Sequence, residues 1–426
     1  MKIPEILQQK AAELERYYSV HLPAAAPLAR RCFLNTIETT VQKTQDDCFV
    51  ITGDIPAMWL RDSAAQINHY VRYAAEDAEV RSLVEGVLRR QAKMVLLDPY
   101  ANAFNETDNG NCVVHDHTDY THPQVWERKY EVDSLCAPLH LLHLYWKTTG
   151  STEVFDDTMH RMMLCVCDVF AREQHHEISP YVFERDDCRE TDTLPCKGRG
   201  NSVGYTGMTW SGFRPSDDRC VYGYLIPAEL MAVKAMEYAA EMLRALYADE
   251  EGAARCEELG RQIEEGVRRY GMVDHPRFGR IYAYEVDGLG NHLLMDDANC
   301  PSLLSLPYLG YCDPEEEVYR NTRAFVLSEE NPFYFSGKVL RGVGSPHTPP
   351  HFVWPIAVTM QALTSREPAE IRTCLEMLLA SDADTCYMHE SIHADNPENY
   401  TRAWFAWANS LFAELLIRVM ESNMLE

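Results

Sequence analysis

Helical periodicity is the feature that most constrains the fold of this chain. Many segments place apolar residues at the i, i+3, i+4 spacing of one helical face. The clearest is 400–421, where Trp404, Leu411 and Leu415 fall on one stripe. The predicted helices are 4–19, 62–75, 78–97, 131–148, 151–173, 222–246, 251–270, 313–327, 352–365, 367–380 and 400–421. Such a pattern favours an all-α fold.

The segments between these helices are of two kinds. Some are short turns, and two segments, 48–54 and 278–287, have the alternating pattern of short strands. Other connections are long and rich in aromatic, His, Asp and Gly residues, and these are 98–130, 175–221, 328–351 and 382–399. Long loops inside a compact fold usually carry function.

The alternation of short and long connections predicts an (α/α)6 toroid, in which an outer ring of helices surrounds an inner ring. The long loops would gather on one rim, over a central cavity. The alternative, an α-solenoid, needs a repeat of about 34 to 47 residues, and no such repeat is found. No low-complexity segment divides the chain, so residues 1–426 are predicted to form a single catalytic domain.

Charge and cysteine usage narrow the possible partners. The 39 basic and 65 acidic residues give a net charge of −26, which argues against nucleic-acid and anionic-membrane surfaces. No apolar run approaches the ~20 residues of a membrane span. The 14 cysteines contain no C-x-x-C pair and are predicted to be reduced packing residues of a cytoplasmic protein. The oligomeric state is left open.

The string YMHESIH contains His-Glu-x-x-His, formed by His389, Glu390 and His393. On a helix this spacing places two histidines on one face, where they bind zinc, and the glutamate acts as the general base of a peptidase. The residues before it lack a helical stripe, however, and Pro397 would interrupt a helix just after it. No histidine follows position 393 as a third ligand. A zinc peptidase is therefore only a minor alternative.

The segment GDIPAMWLRDSAAQ, 53–66, combines residues that suit a sugar. Trp59 offers an aromatic face, Arg61 a bidentate donor and Asp62 an acceptor for hydroxyls. The alternative is a helix start, with Asp62 or Ser63 as the N-cap.

Three further segments concentrate polar chemistry. VWERKYEVDSLC, 125–136, carries Glu131 at a helix entry, where an acid could equally serve the helix dipole. In 204–227, glycines and aromatics surround Arg214 and the acid pair Asp217-Asp218, and Ser216 or Asp217 could instead cap the next helix. HDHTDYTH, 115–122, holds His115, His117 and His122 with Asp116 and Asp119, but without a standard metal spacing. A polar loop or subsite is favoured there.

The segments GDIPAMWLRDSAAQ, WSGFRPSDD, MHESIH and TRAWFAWANSLF resemble the signature segments of glycoside hydrolase family 125. The resemblance runs from about residue 33 to 418. It implies an (α/α)6 barrel and exo-acting hydrolysis of α-1,6-mannosides with inversion of anomeric configuration. It also implies that no catalytic metal or cofactor is used, and an oligosaccharide of α-mannose is the implied partner.

Inversion needs two carboxyl groups about 6.5–9.5 Å apart, one a protonated acid and the other a base that activates water. The resemblance implies Glu390 as the base and an acid within the Asp217-Asp218 pair. Asp217 is favoured from the resemblance alone, and Asp218 is the alternative. The acid is expected to have a raised pKa, and His389, His393 or Arg402 could support the base. The candidates for holding mannose are Trp59, Arg61, Asp62, Glu131, Arg214 and His393.

Three alternatives to this hydrolase remain at this point. A sugar epimerase or phosphorylase would share the helical toroid and would isomerise sugar or require phosphate. A catalytically silent glycan-binding protein would bind mannosides without releasing mannose, although the presence of both acids favours catalysis. The zinc peptidase is the least favoured of the three.

Overall fold

The computed structural model describes residues 2–112 and 116–425, and thirteen helices are found within them. They are α1 (Glu5–His21), α2 (Ala26–Thr39), α3 (Leu60–Asn68), α4 (Ala78–Leu97), α5 (Val132–Thr149), α6 (Asp157–Glu173), α7 (Pro195–Gly198), α8 (Ile226–Tyr247), α9 (Glu250–Tyr270), α10 (Glu317–Val326), α11 (Pro355–Leu363), α12 (Pro368–Leu379) and α13 (Ala406–Glu421). The prediction of a mainly helical protein is confirmed.

The strands are short and pair in small antiparallel sheets of two or three members. They are β1 (Val41–Lys43), β2 (Cys48–Val50), β3 (Met58–Trp59), β4 (Ala103–Phe104), β5 (Asp116–Thr118), β6 (Val125–Glu127), β7 (Phe183–Arg185), β8 (Tyr224–Leu225), β9 (Met272–His275), β10 (Gly279–Tyr282), β11 (Glu285–Val286), β12 (His292–Leu293), β13 (Tyr334–Ser336), β14 (Arg341–Val343), β15 (Phe352–Val353), β16 (Ser391–His393) and β17 (Asn396–Thr401). The order β3-β4-β6 and the order β15-β16-β17 matter most, because both sheets carry side chains of the candidate site.

Local capping explains where several helices begin and end. Asp77 accepts hydrogen bonds from the backbone N–H groups of Glu79 and Val80 at the start of α4. Asp156 caps α6 in the same way. These bonds satisfy donors that a helix start leaves free. Helix α5 ends just before Gly150, whose φ of 65° is a left-handed conformation that suits glycine.

Five helices form a continuous inner series. Helix α3 packs between α5 and α13, α5 also packs on α8, and α11 packs on α13. Each has a partner on its outer side: α4 lies against α3 and α5, α9 against α8, α12 against α11, and α2 against α13. The turn-rich segment 307–310 lines the same cavity as α8 and α11. The series and its partners therefore form two layers of helices.

One apolar cluster extends through these layers, from Leu7 in α1 to Val419 in α13. Among the residues that the structure describes, no helix is both long and apolar enough to cross a membrane. The described cysteines are all free thiols, and those at 32, 48, 136, 167, 220, 256 and 374 are buried.

Several predicted boundaries are wrong. The prediction missed α2 altogether, and the helix expected over 62–75 is α3, which ends at Asn68. Helix α13 begins at Ala406 and not at residue 400, because 396–401 forms β17. Helix α4 occupies 78–97, as predicted.

Candidate active site

A narrow cleft lies where α3, α11 and α13 begin. It encloses about 40 Å³, and about 370 Å³ of empty space when its open mouth is counted. The residues around it come from helix N-termini and from the long loops, and they include Thr52, Trp59, Arg61, Asp62, Ser216, Asp217, Asn299, His347, Glu390, Arg402, Phe405 and Trp407. Of the nine sequence candidates, Trp59, Arg61, Asp62, Asp217 and Glu390 thus meet in one place.

Asp217 lies on a loop and has a φ of 66°, a left-handed conformation that Asp tolerates better than most residues. Its Oδ1 accepts a hydrogen bond from Nδ2 of Asn102 at 3.2 Å, and its carbonyl accepts one from Nζ of Lys129 at 2.8 Å. Burial favours a raised pKa for Asp217, but the cations Lys129 and Arg61 outweigh it and lower the pKa. The structure therefore does not give this carboxyl the raised pKa expected of an acid.

Glu131 is the buried neighbour of Asp217. It is the N-cap residue of α5, is 1% exposed, and accepts hydrogen bonds from Arg61 at 2.6 Å and Ser134 at 2.7 Å. Burial raises its pKa well above the usual range, although Arg61 opposes this, and its carboxyl is hydrogen-bonded to that of Asp217. Burial and the carboxylate of Asp217 thus both favour the protonated form of Glu131.

Asp218 has a different environment from Asp217. Its side chain is fully buried, and its Oδ1 lies 3.0 Å from Nδ1 of His347. His347, and not Asp218, lines the cleft. Burial disfavours the imidazolium, but the hydrogen bond to Asp218 and the carboxylates of Asp217 and Glu390 raise the pKa of His347. Of the adjacent acids, only Asp217 reaches the cleft.

Glu390 immediately precedes β16 and is 7% exposed. Its Oε1 lies 3.6 Å from Nη1 of Arg402. Arg402 has a φ of 43° and is held by Asp54, whose Oδ1 lies 2.9 Å from Nε and 2.5 Å from Nη2. A fixed guanidinium therefore stands beside the carboxylate.

The two histidines of the His-Glu-x-x-His string do not accompany Glu390 into the cleft. His389 is fully buried and stacks on Tyr400 with ring centroids 3.7 Å apart, and burial lowers its pKa. His393 packs edge-on against Phe352. The string runs into β16 and contains no helix, so the shared helical face that a zinc peptidase needs is not formed. Within 2–112 and 116–425, no group of His, Cys, Asp and Glu has the arrangement of a metal site.

Trp59 and Asp62 line the cleft, and each has a buried polar atom without a hydrogen-bond partner among the described residues. Asp62 Oδ2 accepts a hydrogen bond from Thr52 Oγ1 at 2.5 Å. The other oxygen, Oδ1, lies 3.5 Å from Nε of Arg61 and has no hydrogen bond in the described part of the protein, and neither has Nε1 of Trp59. Buried polar atoms need partners, and ligand hydroxyls could supply them.

Arg61 is held by an acidic cluster. Its Nη1 lies 2.6 Å from Glu131 and 3.0 Å from Asp133, and all three side chains are buried. The capping alternatives for this segment and for 204–227 are wrong. Trp59 is the N-cap of α3, and α8 starts only at Ile226, so Asp62, Ser63, Ser216 and Asp217 cap neither helix.

Glu131, Arg214 and His393 are not among the residues that line the cleft. Arg214 is 4% exposed and its Nε donates to Glu285 at 2.5 Å. This pair ties the loop that carries Asp217 to β11. The three side chains therefore lie outside the set that lines the cleft, and their contact with mannose stays a prediction.

A second, larger cavity lies at the opposite ends of the same helices. It encloses about 670 Å³ and is lined by residues from the C-terminal parts of helices, such as Asn68, Lys147 and Arg418. We name it the end cavity. Among the described residues, only Arg61 and Trp407 border both it and the cleft, and the Arg61 guanidinium lies 5.6 Å from the Trp407 ring. These two side chains form a floor between the two spaces.

The histidine-rich loop does not assemble a site around its histidines. His117 pairs with Asp186, and Nδ1 of His122 accepts from the backbone N–H of Gln124. Asp116 pairs with Arg185, and Asp119 with Arg128. His115 lies outside the described residues. The predicted polar loop therefore fits the contacts of the described members.

Sequence reasoning missed His347, Asn102 and Lys129. His347 falls in the loop 328–351, whose composition predicted function, but no spacing distinguishes it from the other histidines. Asn102 and Lys129 act through contacts with Asp217 that only the folded chain brings together.

A helical scaffold whose cleft combines two carboxylates, a tryptophan face and unpaired hydrogen-bonding atoms has the features of a glycoside hydrolase. A family model described as metal-independent alpha-mannosidase (GH125) matches residues 23–417. The chain therefore belongs to glycoside hydrolase family 125, and the predicted resemblance is confirmed.

Individual relatives agree with this. A solved structure from Streptococcus pneumoniae, a metal-independent alpha mannosidase in a non-productive complex with alpha-1,6-mannobiose, is 44% identical, with a TM-score of 0.96 over 98% of this chain and 99% of that one. The meiotically up-regulated gene 157 protein of Schizosaccharomyces pombe is 39% identical over 93% of this chain and 82% of its own length. A solved glycosidase in complex with glucose, 14% identical with a TM-score of 0.55 over 100% of this chain and 99% of that one, shares the fold alone.

Proposed function

We propose that this glycoside hydrolase is an exo-acting α-1,6-mannosidase that works with inversion of anomeric configuration. The observation that carries the proposal is that Asp217 and Glu390 line one narrow cleft together with Trp59 and Asp62. The complex of the Streptococcus pneumoniae relative with alpha-1,6-mannobiose supports the choice of substrate.

In the proposed reaction, Glu390 is the general base. Arg402 lies beside its carboxylate, and Glu390 takes a proton from a water molecule that attacks the anomeric carbon of the terminal mannose. The bond to the leaving oxygen breaks on the opposite face. The product is therefore β-mannose, and the proton from water stays on Glu390 until it is returned to solvent.

Asp217 is the proposed acid that protonates the leaving oxygen. Its pKa is lowered in the free protein, so it needs a proton source at hand. Glu131 is hydrogen-bonded to Asp217 and is kept protonated by burial. We propose that this proton moves to Asp217 as the leaving oxygen binds, and Glu131 then acts through Asp217 as a positioning residue.

The floor supports exo action. Arg61 and Trp407 close the cleft towards the end cavity, so a chain cannot pass through along the helix axis. A pocket that is closed at the base accepts a chain end. Trp59 and Asp62, with atoms free to meet hydroxyls, are proposed to hold the terminal mannose.

The proposal extends to the architecture. The series α11, α13, α3, α5 and α8 supports five inner positions of an (α/α)6 toroid, and we propose that the turn-rich segment 307–310 belongs to the sixth. The apolar cluster from Leu7 to Val419 supports a single catalytic domain over 1–426. A cytoplasmic location stays a prediction from the sequence.

The test is proton NMR of an α-1,6-mannobiose digest, followed from the first minutes. β-Mannose should appear first and then convert to the equilibrium mixture. Initial α-mannose would refute inversion, and release of disaccharides from a longer linear substrate would refute exo action. Activity that depends on phosphate, or sugar isomerisation without hydrolysis, would favour the phosphorylase or epimerase alternative.

A further inference from the structure

A separate cavity opens on the surface beside the cleft. It encloses about 320 Å³, and we name it the outer pocket. Its lining includes Tyr120, His122, Trp126, Glu127 and Arg128. Tyr120 is 40% exposed, which is unusual for a tyrosine ring in this protein. An exposed aromatic face surrounded by hydrogen-bonding groups has the composition of a saccharide subsite.

An apolar wall connects the outer pocket with the cleft. Trp59 lines the cleft, Trp126 lines the outer pocket, and both pack with Ala57 and Ala103 in one small apolar cluster. Strands β3, β4 and β6 hold them in register, because Trp59 pairs with Ala103 and Ala103 pairs with Glu127. The two cavities are therefore fixed relative to each other by one sheet.

A polar connection also runs from Asp217 in the cleft to the outer pocket. Nδ2 of Asn102 donates to Oδ1 of Asp217 at 3.2 Å and to Oε2 of Glu127 at 3.0 Å. Glu127 lines the outer pocket. A single amide thus separates the proposed acid from the outer pocket.

That position decides which part of a substrate the outer pocket faces. A general acid protonates the leaving oxygen, so it stands on the side from which the leaving group departs. Asn102 connects the outer pocket to the acid, so we place the pocket on this side. We propose that it binds mannose residues of the leaving group beyond the one directly bonded to the cleaved mannose, with Tyr120 as the stacking surface. The inference rests on the proposed function of the cleft.

The polar groups of the outer pocket are already held in position. Arg185 binds the carboxylates of Asp116 and Glu127 at 2.7 and 2.8 Å. Arg128 is 5% exposed and is held by Asp98 at 2.6 Å, with its guanidinium 5.8 Å from the Tyr120 ring. Because the acids are neutralised by these cations, the outer pocket suits a neutral ligand with many hydroxyls, such as an oligomannoside.

The experiment compares kcat/KM for linear α-1,6-linked mannobiose, mannotriose and mannotetraose. We expect kcat/KM to rise about three- to tenfold from mannobiose to mannotriose, which is the range of one aromatic contact. Tyr120→Ala should remove the rise, and Tyr120→Phe, which keeps the ring, should retain it. Tyr205→Ala is the matched control: this tyrosine is 57% exposed and does not line the outer pocket, so the rise should persist.

Calorimetric titration with a Glu390→Gln variant gives a second measurement that needs no turnover. Mannotriose should bind several-fold more tightly than mannobiose, and Tyr120→Ala should abolish the difference. Equal kcat/KM for all lengths, or a rise that survives Tyr120→Ala, would overturn the outer pocket as a subsite while the proposed function stands. Failure to cleave any of the three substrates would overturn the proposed function, and this inference with it.

Discussion

The guanidinium of Arg61 stacks on Trp407 at 5.6 Å while its Nη1 binds Glu131 and Asp133. One side chain therefore serves as part of the floor, as the counter-ion of a buried acidic cluster and as a neighbour of the proposed acid. Arginine suits this role because its planar fork can bind carboxylates and stack on a ring at once.

Replacing this arginine should be costly. Arg61→Met leaves Glu131 and Asp133 buried without their cation, and we expect a loss of about 3–5 kcal/mol in the free energy of unfolding. Denaturant unfolding followed by circular dichroism measures it. Arg255→Met is the matched control, because it breaks an exposed pair with Asp168 and should cost no more than about 1 kcal/mol. Equal losses for the two variants would contradict the importance of the buried cluster.

Glu390→Gln keeps the shape of the side chain but cannot accept a proton from water. Since general base catalysis contributes about 10²–10⁴-fold, we expect kcat on α-1,6-mannobiose to fall by at least that range. Thermal unfolding should show an intact fold. Glu398→Gln, in the exposed part of β17, is the control and should keep normal turnover. Near-normal turnover of Glu390→Gln would remove it as the base.

Two substrates with different leaving groups can show whether Asp217 or Asp218 is the general acid. Asp217→Asn should lose most activity on mannobiose but retain it on 2,4-dinitrophenyl α-mannoside, whose leaving group needs no proton. Asparagine also tolerates the positive φ at this position. Asp218→Asn changes the contacts with His347 and Arg189 and no group that lines the cleft at this position, so both substrates should be affected alike. The reverse pattern would make Asp218 the acid.

Glu131→Gln tests the proposed proton transfer to Asp217 through the pH dependence of kcat. An ionised Glu131 raises the proton affinity of Asp217, whereas glutamine is neutral at every pH. The pair in the native protein therefore holds its proton to higher pH than Asp217 alone, whose pKa is lowered by Lys129 and Arg61 despite its burial. On the basic side of the pH profile, kcat of the variant should therefore begin to fall at a lower pH than kcat of the native protein. An unchanged profile with reduced kcat would indicate a purely structural role.

Local pattern predicted the helices well where one face is apolar and the other is solvated, as in α9 and α4. It failed for α2 because this helix is buried on most sides, Asn35 and Thr36 included, so that no single stripe stands out. The strand pattern predicted in 48–54 and 278–287 is confirmed by β2, β10 and β11. Most other strands could not be predicted, because their two- or three-residue pairing depends on partners distant in the chain.

The candidate site was predictable to the extent that unusual residues crowd into long loops, as Glu390 and Asp217 do. Which of them reach the cleft was not, because tertiary contacts decide it. Arg214 and Glu131 have the residue types of ligand contacts. Arg214 is instead paired with Glu285, and Glu131 with Arg61. The identity of the acid's neighbours depends on the meeting of residues 102, 129 and 217, which no local spacing encodes.

The floor of Arg61 and Trp407 has a kinetic consequence. In the proposed exo reaction, a cleft that is closed at its base can release the cleaved mannose only after the rest of the glycan has dissociated. Each round of cleavage then requires the shortened glycan to dissociate and rebind. Trimming of this kind is distributive: intermediates of every length accumulate in solution, and free mannose competes with substrate for the same entrance.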